Sequence, residues 1–190
     1  MLLRRTIRFT AIILLFSVAI IFINITESHA AKFGGQLING PRNMAYTVNG
    51  AAAAYTGNIN NASYNWMYTG YDNPIYLIPV SSTDGSTVDY YATYYYDNTI
   101  AVTNFFNSYN AQQSPYYNYL YCKIYFNDKF KYDTSINHDG VTAHELGHVL
   151  GLAHSNSNPY SIMCQTKYGR IVQKPQKIDN DEIVSMYGSY

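Results

Sequence analysis

Eleven residues constrain this chain more than any other stretch: His144-Glu145-Leu146-Gly147-His148-Val149-Leu150-Gly151-Leu152-Ala153-His154. They read H-E-x-x-H-x-x-G-x-x-H. Residues four apart on an α-helix share one face, so His144 and His148 can offer two imidazoles to one cation. Glu145 follows the first histidine directly and can stand beside that cation without binding it. Gly151 can adopt the left-handed backbone that ends a helix. The chain can then turn back and bring in His154 as a third nitrogen ligand. Three protein ligands leave one tetrahedral position open, the arrangement of a catalytic zinc site rather than a structural one. From average residue usage the full pattern arises by chance on the order of once in a hundred thousand chains. Three of the five histidines lie inside it. Three unrelated histidines on a helix is therefore much the weaker alternative.

The pattern resembles the metzincin clan of zinc proteases, which pairs this motif with a later Met-turn. Ser161-Ile162-Met163 resembles that turn, the loop that passes beneath the zinc ligands. Ile178 to Gly188 resembles the closing helix of the matrixin-like branch. The resemblance is specific over residues 138–190 and is only a compatible pattern upstream. It implies an α+β (α/β-like) catalytic domain: a twisted mixed five-stranded sheet with one antiparallel edge strand, two long helices packed on it, and a small C-terminal lobe. It also implies a secreted zinc endopeptidase acting on a protein or peptide substrate. On that resemblance one zinc would be held by His144, His148 and His154 and would lower the pKa of a water. Glu145 would take that water's proton as general base and later deliver it to the leaving amine. Met163 would be an apolar floor under the three rings, not a ligand.

Several positions depart from related families. Astacin- and serralysin-like enzymes carry a tyrosine two residues after the Met-turn methionine. Gln165 stands there, and Tyr168, five residues on, receives no catalytic role. Residues 166–175 follow the turn, where this family builds the pocket for the residue after the cleaved bond. A histidine-rich second zinc site is not expected, since His138 is the only other histidine beyond residue 30. Calcium is without positive support. Asp128, Asp133 and Asp139 are its candidates, more simply read as turn residues or caps. No cysteine precedes Cys122, so a cysteine-switch propeptide has no thiol to use.

Residues 1–30 read as an export signal. Arg4, Arg5 and Arg8 make a basic start, Phe9 to Ile25 is uncharged and mostly apolar, and Ser28-His29-Ala30 offers a peptidase site. An uncleaved membrane tether through residues 9–25 is the competing reading. Either way residues 31–190 form one catalytic domain outside the cytoplasm. Twelve basic residues balance twelve acidic ones, which gives no sign of nucleic-acid binding. The chain is expected to act as a monomer. Its 22 tyrosines read as aromatic strand and surface material.

Strands are expected at residues 43–48, 75–80, 88–96, 100–106 and 120–126, and 107–118 reads as a loop. The strand at 100–106 is the candidate antiparallel edge of the cleft, to which extended substrate would add as a further strand. Ile59, Ala62, Ser63, Trp66 and Met67 fall at helical spacing. Asp139 is expected to cap the zinc helix. Asp179 and Glu182 are expected to form a capping-box-like pair on the closing helix, with Ile178 and Ile183 as its staple and Gly188 at its end. Export favours a disulfide between Cys122 and Cys164. Two other functions fit parts of the sequence. A gluzincin would take its third ligand from Glu182, the only downstream glutamate. A non-catalytic cell-surface zinc- or peptide-binding module would have no need of Glu145.

Overall fold

The structure, a computed structural model, describes residues 31–190, so the expected export segment 1–30 lies outside it. Nine regular elements follow in order: β1 (Met44–Val48), α1 (Thr56–Met67), β2 (Leu77–Pro79), β3 (Val88–Thr93), β4 (Ala101–Phe106), β5 (Gln112–Gln113), β6 (Tyr121–Asn127), α2 (His138–Val149) and α3 (Lys177–Tyr187). The strands form one sheet in the order β2-β1-β3-β6-β4-β5. The pairs β1–β2, β1–β3 and β3–β6 are parallel, whereas β4 runs antiparallel to both β6 and β5.

The sheet therefore has six strands rather than the expected five, and β4 is not quite its edge. The extra strand, β5, falls within the expected loop. It pairs only Gln112 and Gln113 with Phe106 and Phe105, so no hydrophobic alternation announces it. On that side β4 has no strand partner over Ala101–Asn104 among the described residues. Strands β2 and β3 are also shorter than their apolar runs, ending at Pro79 and Thr93.

Each element buries the face its pattern prescribes. On β6, Cys122, Ile124 and Phe126 alternate into the core. On α1, Ile59, Ala62, Ser63 and Trp66 are buried at helical spacing despite four intervening residues of poor helix propensity. Trp66 joins the two long helices: its indole Nε1 donates to the Ala143 carbonyl of α2 at 2.9 Å. A buried indole N–H needs such a partner. Helix α2 is buried on nearly every side, from Gly140 through Val149.

Both helix caps lie upstream of their expected positions. Asn137, not Asp139, caps α2, accepting from Gly140 N at 2.8 Å. Asp139 sits in the first turn and instead accepts from Asn58 and Asn61 of α1, at 2.6 and 3.3 Å. On α3 the capping box joins Gln176 and Asp179, so Ile178 lies inside the helix and the staple does not form. Glu182 is one turn in, where it pairs with Lys32 at 2.9 Å. The expected disulfide is absent: Cys122 and Cys164 are separate buried thiols. Cys122 belongs to the sheet core, whereas Cys164 lies near the carbonyls of Gln165 and Tyr168 in the C-terminal lobe. Among the described residues no helix is long and apolar enough to cross a membrane.

Candidate active site

Helix α2 carries the first two histidines, and its end delivers the third. Gly151 adopts φ 97°, a left-handed conformation that a Cβ would strain. The turn it makes is clamped from outside. Residue 32 bridges antiparallel to Leu152, Phe33 N donates to Gly151 O at 2.9 Å, and Ala153 N donates to Ala31 O at 2.8 Å. One nitrogen from each of His144, His148 and His154 then lies within 4.8 Å of the others. Among the described residues this is the one group of His, Cys, Asp and Glu able to hold a metal ion.

The donor chemistry fits zinc. His144 Nδ1 lies 2.8 Å from Ile162 O, and His148 Nδ1 lies 2.7 Å from Leu152 O. A carbonyl only accepts, so each Nδ1 carries the proton and each Nε2 keeps its lone pair. His148 Nε2 and His154 Nε2 stand 3.2 Å apart. Two nitrogens each about 2.0–2.1 Å from a tetrahedral zinc would stand about 3.3 Å apart. Burial, then the neighbouring imidazole of His148, holds His144 well below its ordinary pKa. Burial brings His148 and His154 down to about 4. All three are thus neutral at pH 7, the state a metal requires.

Glu145 sits beside this cluster with its carboxyl buried. Burial pushes it up to about 7, while a hydrogen bond from Thr103 and the positive charge of Arg170 pull it back. The Thr103 hydroxyl, on β4, donates to Glu145 Oε2 at 2.6 Å. Oε1 makes no protein hydrogen bond among the described residues. No motif in the sequence points to Thr103. Its only signal is its place on the strand expected to border the cleft.

The turn Ser161-Ile162-Met163 packs beneath α2. A Cβ on Gly147, the residue before His148, would overlap Met163 Sδ and come within 3.1 Å of Trp66. Met163 is fully buried. Asp179 of α3 fixes the turn by accepting from Ser161 Oγ at 2.5 Å and Ile162 N at 3.0 Å. The Ile162 carbonyl then orients His144. So the methionine lies under the histidine-bearing turn of α2, and the turn's backbone rather than its sulfur is what touches a candidate ligand.

The other named residues stand apart from the triad. His138 lies 3.0 Å from Phe130 O through Nε2. Asp133 accepts from Ser135, and Asp128 lies 3.9 Å from the Lys131 ammonium. Glu182 is held by Lys32, away from the histidines. Tyr168 is exposed on a short 3-10 turn, Thr166–Tyr168. A cavity of about 550 Å³ opens beside His144 and Glu145; its walls include Ile100, Ala101, Val141 and, from the segment after the Met-turn, Lys167 and Arg170.

No curated protein matches this chain. A family model does: that of the matrixin peptidases aligns with residues 45–189, which hold the whole sheet but the first residue of β1, both long helices, the histidine triad and α3. Fold, triad and family agree, and the chain belongs to the matrixins, a family of zinc-dependent metallopeptidases, as a metzincin catalytic domain.

Proposed function

We propose that this protein is an exported zinc endopeptidase in which His144, His148 and His154 hold the metal and Glu145 is the general base. A zinc ion there supplies Lewis acidity to a water and to the scissile carbonyl. The protein's own part is positioning and proton transfer. Thr103 occupies Glu145 Oε2 and so turns Oε1 toward the role of acceptor. A carboxyl poised near 7 can take a proton from attacking water and return it to the leaving amine. Extended substrate adds to the unpaired side of β4 at Ala101–Asn104 through backbone hydrogen bonds. The side chain after the cleaved bond enters the cavity beside Glu145.

The observation that carries this reading is the buried carboxyl of Glu145 set beside three histidines whose ring nitrogens lie within 4.8 Å of one another. Glu145→Gln should keep about one zinc per chain. Its peptide-bond hydrolysis should fall by about a hundred- to ten-thousandfold. Near-wild-type turnover would remove Glu145 from the mechanism. Export rests on residues 1–30. Sequencing protein recovered from the medium should give Ala31 as the first residue, and an intact Met1 in the membrane fraction would favour the tether.

A further inference from the structure

The cavity beside Glu145 contains a guanidinium that peptide hydrolysis as such does not require. Gly169, at φ 89°, turns the chain after Thr166–Tyr168 and sends Arg170 inward. Arg170 is only 9% exposed. A buried arginine ordinarily faces a carboxylate, because burying its charge is costly. Arg170 has no ion pair among the described residues. Nη1 donates to Ile162 O at 3.3 Å, and Nε is buried with no acceptor at all. Nη2 lies 3.1 Å from where a Cβ on Gly140 would stand, which places the guanidinium against the first turn of α2. Glu145 is near enough to be felt electrostatically but does not pair with it.

The rest of the cavity fits a long side chain with an anionic tip. Val141, Ile100 and Ala101 supply apolar wall, and Lys167 adds a second, exposed cation. Asp97 is the only other acid in the lining. It is exposed, and its carboxylate accepts from Thr99 N at 2.9 Å. Leucine would satisfy the walls but leave the guanidinium donors unmet. Lysine would set cation against cation. A site built around buried donors rejects a ligand that cannot meet them.

We propose that this cavity selects substrates with an acidic residue, glutamate by reach, immediately after the cleaved bond, and that Arg170 is the residue that reads it. This rests on the peptidase reading above. Glutamate presents two acceptor oxygens beyond two methylenes, so the methylenes run along the apolar wall while the carboxylate pairs with the guanidinium.

Four internally quenched peptides, identical except for Glu, Gln, Leu or Lys after the cleaved bond, test this with the zinc-loaded protein; product masses confirm the bond. The expected kcat/KM is highest for Glu, about ten- to a hundredfold above Leu, and lowest for Lys. Arg170→Met should bring the Glu-to-Leu ratio below one, and Arg170→Lys should restore part of it. Lys167→Met should leave the ratio nearly unchanged; if it removes the preference instead, the assignment to Arg170 is wrong. Should Arg170→Met not fold, the wild-type ratio and the Arg170→Lys ratio decide. Leucine equal to or better than glutamate in the wild-type protein overturns the proposal and leaves the peptidase intact. Cleavage of none of the four peptides counts against the peptidase reading and removes this inference with it.

Discussion

Thr103 and Glu145 are 42 residues apart in sequence and 2.6 Å apart in space. The hydrogen bond favours the ionised carboxylate, so it opposes the rise that burial imposes. Thr103→Val keeps the shape and removes the donor. Glu145 should then bind its proton more firmly, moving the acid limb of the kcat/KM profile to higher pH. A hydrogen bond to a charged group is worth about 1.5–3 kcal/mol, or about one to two pH units. A pH profile unchanged in the variant would show that the hydroxyl does not govern the base. The contrast with the histidines explains what sequence could reveal at this scale. His144, His148 and Glu145 share one helix, and His154 follows one turn, so local spacing alone brings them together. Thr103 and Arg170 reach the same place from other elements. No spacing rule connects them to the motif, and only the folded sheet and lobe do.

Helix α2 and the Met-turn form a unit packed to the limit. Gly147 lies where any side chain would meet Met163 and Trp66. Gly147→Ala should therefore destabilise the protein by about 1–3 kcal/mol through overpacking, even though alanine is the better helix former. Chemical denaturation of the zinc-loaded variant measures this, and unchanged stability would mean that the turn can move away from the helix. Elements with strong patterns were legible: α1 from its buried stripe, β6 from its alternation, α2 from the motif. Caps were less so. Residues 137 to 139 offer Asn137 and Asp139, both good cap residues, and the two asparagines on α1 that take up Asp139 decide between them. Strand β5 was illegible because two glutamines carry no periodicity. The disulfide expected from compartment failed because β6 points Cys122 into the sheet core, whereas Cys164 sits in the lobe beyond the Met-turn.

Over the whole molecule, zinc and fold should be linked. A ligand present at a thousand times its Kd stabilises the native state by about 4 kcal/mol, so chelation should lower Tm by about 10 °C. Equal Tm with and without chelator would mean that no structurally coupled metal is bound. The zinc-free protein should also be acid-sensitive. His148 and His154 fall from 6.5 to about 4 on folding. Their contribution is complete above about pH 6.5 and is lost as pH falls through about 4. Glu145 opposes this, since its raised carboxyl contributes fully below about pH 4.5 and loses that contribution as pH rises through about 7. Burial also raises Asp179, which acts in the same sense as Glu145, but three depressed imidazoles outnumber two raised carboxyls, so the Tm of the zinc-free protein should fall from pH 7 to pH 4. A rise would show that the two raised carboxyls dominate. The clamp on the third histidine has a further consequence, for the order of events during synthesis. The turn bearing His154 is held by residues 31–33, and α3 is tied back to the same segment through Lys32 and through Leu37 N, which donates to Tyr187 Oη across 150 residues. Contacts of such separation form only after their loop-closure entropy has been met. A nascent chain still lacking α3 can carry all three histidines and Glu145 without their being fixed around a common point. Hydrolytic competence would then arrive only once residues 31–37 and α3 have met.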